Sequence, residues 1–152
     1  DYSAIVTTAR HKQSDVKYII DAWGDRIHPN EFMDVIVRKV MEYQPDAIGA
    51  EAQMAQEFFV DLLTEYLGAN GYPPTRVKKI QQRQRKELRI EAMLPEIENG
   101  KIQFNTGHTL LLEQLERFGQ GSHDDVGDAL EMSISVNGKS RRRVVAKPTF
   151  MF

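Results

Sequence analysis

The sequence predicts an α/β domain with a mixed central β-sheet flanked by helices. Short segments dense in β-branched and aromatic residues alternate with segments whose apolar positions recur at helical spacing, which argues for a partly parallel sheet. At 152 residues, with 41% hydrophobic and 28% charged positions, the chain is long enough to bury a real core and has the composition of an ordinary globular protein.

Tyr2–Thr8 and Val16–Trp23 read as strands, and the polar link His11–Asp15 suits a hairpin between them. Pro29-Asn30-Glu31 opens a helix whose apolar residues Phe32, Val35, Ile36, Val40 and Met41 continue until Pro45. Asp46–Glu51 is a short strand, and Met54–Leu67 a second helix stopped by Gly68. Val77–Ile80 reads as a strand and Glu87–Ile97 as a helix broken at Pro95. Lys101–Phe104 is a short strand after the Asn99-Gly100 turn. His108–Phe118 and Asp124 to about Val136 complete the helices. No internal repeat is visible. Residues 1–138 are expected to form the domain, with 139–152 as an appended basic tail.

No apolar run approaches the roughly 20 residues that span a bilayer, and no signal peptide opens the chain, so no membrane partner is expected and an intracellular protein is the default. Without cysteine there are no disulfides or thiolate zinc sites, and a metal would have to be held by carboxylates, imidazoles or water, which favours hard cations. The net charge of −2 hides an uneven distribution. Arg76, Lys78, Lys79, Arg83, Arg85, Lys86 and Arg89 form one basic block, and Lys139, Arg141, Arg142, Arg143 and Lys147 a second. Such runs are usually solvated faces, but two of them beside an acidic cluster suit phosphate contact.

That cluster is SHDDVGDAL, Ser122 to Leu130, with His123, Asp124, Asp125 and Asp128. Ser122 or Asp124 could simply cap a helix. Asp128 lies past the first turn, where the helix dipole offers little, and at four positions from Asp124 it repels a like charge. A bound cation resolves the conflict. Glu51 ends an apolar strand, where ligands bind in open α/β sheets, although a helix N-terminal role accounts for a lone Glu there as well. The other histidines have plainer readings: His11 in a polar turn, His28 before Pro29, His108 at a helix start. Trp23 and Tyr18 are expected in the core, and Asp21 near the end of its strand is a weaker acid candidate.

Asp1–Val6, Tyr18–Trp23, Ile48–Gln53, Lys86–Ile90, Asn99–Phe104 and His123–Leu130, in that order, resemble the C-terminal nuclease domain of the large terminase subunit of tailed bacteriophages, of the ribonuclease H-like superfamily. The resemblance implies a metal-dependent endonuclease that cuts concatemeric viral DNA during genome packaging, with Mg²⁺ or Mn²⁺, two ions per site, as cofactor. It assigns Glu51 and Asp124 as ligands and Asp128 or Asp125 as a further ligand or a group supporting one. His123 adjoins these acids and could be a ligand, a group supporting one or a proton carrier. Double-stranded DNA would be the partner, met by Lys78, Lys79, Arg83, Arg85, Lys86, Arg89, Arg141, Arg142 and Arg143. Portal and small terminase subunit would be engaged through the full-length protein, in the cytoplasm of an infected bacterial host. The family's first metal-binding Asp lies on a strand upstream of the segment that Asp1–Ala4 resembles, so either the sequence omits residues, or the chain lacks one ligand and part of its central sheet. No Gly-rich phosphate loop is present, and ATP hydrolysis is not expected. The alternatives are a junction resolvase or transposase-like nuclease of the same superfamily, and a catalytically silent DNA-binding or docking module.

Overall fold

A computed structural model describes residues 3–52, 55–104, 125–137 and 145–151. Strands β1 (Ser3–Arg10) and β2 (Lys17–Asp25) form the expected antiparallel hairpin, with a register shift after Thr7 that leaves Ile20 without a partner. The link closes locally: the His11 N–H donates to the Val16 carbonyl at 2.8 Å, Asp15 takes a left-handed φ of 62°, and its carboxylate pairs with Arg10. Helix α1 (Pro29–Tyr43) starts on a proline whose fixed φ suits the first helical position, and ends where Gln44, at φ 45°, returns its N–H to the Val40 carbonyl.

Strand β3 (Ile48–Glu51), helix α2 (Ala55–Ala69) and strand β4 (Val77–Ile80) make a parallel βαβ unit. Helix α3 (Lys86–Glu98) does not break at Pro95 as expected. Pro95 lies in the last turn, its carbonyl still accepts from Asn99 N–H at 3.0 Å, and the helix runs on to Glu98. Strand β5 (Ile102–Gln103), helix α4 (Asp125–Asn137) and strand β6 (Val145–Met151) follow. The helix expected at His108–Phe118 lies outside the described residues.

The sheet order is β4-β3-β6-β1-β2-β5. One expectation is corrected here. Residues 139–152 are not simply an appended tail, because Val145–Met151 is an inner strand, antiparallel to β1 from Ala4↔Met151 to Arg10↔Val145 and parallel to β3 at Gly49↔Thr149. Among the described strands, this later segment stands between β1 and β3. Pro148 brings no N–H to this ladder, and proline is unusual in an inner strand.

Alternation along β1 divides the core. Ala4 and Val6 face α3 and α4, meeting Ile90, Met93, Val126, Ala129, Leu130 and Met132, whereas Ile5 faces α1 and α2. On that second side Phe32 stacks between Trp23 and Phe59, with ring centroids 5.9 and 6.0 Å apart. Trp23 thus packs as expected. Tyr18 does not: it is 42% exposed on β2.

Gly49 of β3 leaves no room for a side chain. A Cβ there would lie 2.6 Å from Ile80 Cδ1 and 2.8 Å from Val136 Cγ2. The Ile80 tip can rotate, but a Val136 γ-methyl is fixed to the α4 backbone by a single stiff torsion. Gly49→Ala should therefore cost about 1–3 kcal/mol of stability by overpacking. Urea unfolding checks this, and an unchanged midpoint would contradict the contact.

Candidate active site

Two residues on from Gly49 along β3, Glu51 points to the same side of the sheet, the side covered by α4. It ends the strand, half-buried. On α4, Asp128 sits among the buried Val126, Ala129, Leu130 and Met132 and is only 1% exposed. The helix is pinned to β1 by polar contacts: Thr8 Oγ1 and Ser133 Oγ are 2.7 Å apart, and Asn137 Nδ2 donates to Thr8 Oγ1 at 3.1 Å.

A carboxylate cannot stay charged in apolar surroundings without a partner. Here the partner comes from α3. Arg89 Nη1 lies 2.7 Å from Asp128 Oδ1 and donates to Glu131 Oε2 at 2.6 Å, while Lys86 Nζ stands 4.0 Å from Asp128 Oδ2. Arg89 is fixed further by a 3.2 Å bond from Nε to the Gln84 carbonyl, and Ser135 Oγ holds Glu131 Oε1 at 3.0 Å. Even so, Asp128 Oδ1 accepts no well-aligned hydrogen bond among the described residues.

Burial raises the Asp128 carboxyl above its ordinary range, and Arg89 and Lys86 only partly offset that. Burial also raises Glu51, with the Asp128 charge adding to it and Arg89 and Lys86 opposing. The Asp128 charge thus reaches Glu51 although 77 positions separate them in sequence (128 − 51). Two carboxyls raised by burial, one at a strand end and one on the helix that covers the same side of the sheet, mark a candidate functional site.

Of the other expected ligands, His123 and Asp124 lie outside the described residues, and Asp125 begins α4. Among the described residues no group of three or more His, Asp or Glu side chains is placed to hold a metal ion. Glu51 and Asp128 nevertheless fit such an ion in kind: both offer hard oxygen donors, and Asp128 Oδ1 is a buried acceptor with capacity left. Asp21 is bonded to Lys39 of α1, on the opposite side of the sheet, and takes no part.

The first basic block is divided by the fold. Lys78, Lys79, Arg83 and Arg85 are exposed, although Lys79 pairs with Asp61 at 2.7 Å and Glu57 at 3.1 Å on α2. Arg89 is a correction. It is buried behind the acids and does not belong to an exposed DNA-facing surface. Its part in the site, and that of Glu131, was missed by counting charge. The signal was its register, since Arg89, Ile90, Met93 and Ile97 share one stripe of α3. Arg141, Arg142 and Arg143 lie outside the described residues.

A mixed sheet with a carboxylate at a strand end and another on the covering helix is the frame of a ribonuclease H-like domain. Residues 4–102 match the family described as Terminase Bacteriophage T7, Ribonuclease H-like domain, and the chain belongs to that family. The matched span includes Glu51 and ends before α4. Neither the curated proteins nor the solved structures gave a match. No helix among the described residues is long and apolar enough to cross a membrane.

The Glu51 shift has a measurable sign. With its folded value above the ordinary 4.5, Glu51 favours the folded state fully only below pH 4.5, and that contribution is lost as pH rises through the folded value. Glu51→Gln, uncharged throughout, should therefore melt higher than the parent near neutral pH in chelator. The gain should vanish below pH 4.5, where both side chains are neutral. Melting curves across that range check it, and a gain independent of pH would exclude the electrostatic cause.

Proposed function

We propose that the domain is a divalent-metal-dependent endonuclease that cuts concatemeric double-stranded viral DNA during genome packaging. The observation that carries this reading is that Glu51, at the carboxyl end of β3, lies on the side of the sheet covered by the helix that holds the buried Asp128, within a terminase ribonuclease H-like domain. Glu51, Asp128 and Asp124 would hold Mg²⁺ or Mn²⁺, two ions in the two-metal form of the chemistry, with Asp125 and His123 as further donors. Bound there, the ions supply an activated water and neutralise charge at phosphorus. Glu51 is half-buried at its strand end, whereas Asp128 is almost fully buried on α4. Lys78, Arg83 and Arg85, exposed beside the same edge, would meet the phosphate backbone without reading sequence. Portal and small-subunit contacts, and action in the host cytoplasm, belong to this proposal through the full-length protein.

Glu51→Gln and Asp124→Asn should each lower plasmid nicking by at least about 100-fold, the scale felt when a group acting on transition-state charge is removed. Mn²⁺ should support more activity than Mg²⁺, being less demanding in geometry and accepting imidazole, and Ca²⁺ should support none. Nicking that survives in excess chelator, or in both variants, would refute the metal-site reading. Branched DNA cut in preference to linear would move the substrate to that of a junction resolvase.

Neutralising Lys78, Arg83 and Arg85 together should reduce the slope of log affinity against log salt by about 2–3, equally for unrelated DNA sequences. Filter binding over a salt series reads it. A loss confined to one sequence would contradict phosphate contact. The silent docking module remains the second reading, favoured by the Arg89 contact with Asp128. DNA binding with no metal-dependent nicking would establish it.

A further inference from the structure

Arg89 stands where a metal-binding acid would need open space. Its Nη1 bridges Asp128 Oδ1 at 2.7 Å and Glu131 Oε2 at 2.6 Å, and its side chain is only 7% exposed. Lys86, one turn earlier on α3, faces the other Asp128 oxygen at 4.0 Å. Both oxygens of Asp128 therefore look toward cations that the protein itself provides. A divalent ion bound to Asp128 at about 2.1 Å would come within a few ångströms of the guanidinium, and two cations at that range in a buried site repel strongly. One of them has to yield.

The structure offers a place for the guanidinium to go. Behind it, between α3 and α4, lies a cavity of about 160 Å³ lined by Arg89, Ala92, Met93, Glu96, Glu131 and Ser135. Glu131 already holds Arg89 on that side and is itself kept aimed by Ser135, while Glu96, paired with Lys17 at 3.6 Å, adds negative charge to the same wall. A guanidinium leaving Asp128 stays compensated.

We infer that Arg89 is a displaceable resident counter-cation of Asp128: a divalent ion enters the Glu51–Asp128 site by moving the guanidinium off Asp128 toward Glu131. This rests on the reading of Glu51 and Asp128 as metal ligands. Without an ion, Arg89 keeps a buried carboxylate charged and in place. With one, its retreat makes the affinity weaker than the acids alone would give.

The test is calorimetric titration of the whole domain with Mn²⁺, alongside melting in chelator. Arg89→Gln removes the competitor and its repulsion, so Mn²⁺ should bind about 10-fold tighter while the ion-free melting temperature falls. Glu131→Gln removes the alternative anchor and holds Arg89 on Asp128, so Mn²⁺ should bind more weakly. The opposite signs are the signature, since a merely structural role would weaken binding in both. Should Arg89→Gln not fold without metal, Arg89→Lys takes its place: one ammonium cannot bridge Asp128 and Glu131 as the guanidinium does, so Mn²⁺ should still bind tighter than in the parent. Parent protein that binds Mn²⁺, with affinity unchanged or lowered in Arg89→Gln or raised in Glu131→Gln, overturns this inference and leaves the metal site standing. Absence of Mn²⁺ binding in the parent and in both variants overturns the metal site itself.

Discussion

The hydrogen-bonded ladder of β6 is what makes one sheet out of two. β3 and β1 are not bonded to each other, and each is bonded to β6, so without that strand the sheet would fall into a β4-β3 pair and a β1-β2-β5 ribbon. Glu51 belongs to the first part. Asp128 belongs to the second, through α4, which is fastened to β1 by Thr8, Ser133 and Asn137. The separation between the two acids is therefore set by backbone pairing several residues away from either.

The charge arrangement around Asp128 follows from where α4 has to lie. A helix that covers the middle of a sheet is apolar nearly all round, as Val126, Ala129, Leu130, Met132 and Ile134 are here. An acid on such a helix carries a large desolvation cost, which only a nearby cation can offset. Arg89 suits that place better than lysine would, because its planar guanidinium reaches Asp128 and Glu131 together. Buried ion pairs contribute little net stability but are costly to break from one side, so the three residues constrain one another more than they hold up the fold.

Much of the architecture was legible in the sequence because the governing signals are local. Hairpin, βαβ unit and helix ends follow from β-branched runs, helical spacing and the turn residues at Asp15, Gln44 and Gly100. The last strand was not legible. Lys147 and Pro148 after three arginines read as a solvated tail, and only pairing with β1 and β3, distant in sequence, turns that segment into an inner strand. Glu51 was found by its position at a strand end and Asp128 by its lack of a capping role. Arg89 was misread because a basic run suggests a surface, whereas the stripe it shares with Ile90 and Met93 carries it inward. Tyr18 was misread in the other direction, since an aromatic residue in a strand can sit on the side that nothing covers.

The pairing of β1 with β6 also bears on how the molecule comes into being. Among the described strands the earliest is completed by the latest, a pairing of long range, and such topologies fold slowly because loop closure precedes the contacts that reward it. On the ribosome, the hairpin and the βαβ unit have all their residues early, but they stay separate bodies until 145–151 emerge. The acidic site is thus among the last features to assemble, and until it does the edges of β1 and β3 are open to any other strand that comes by.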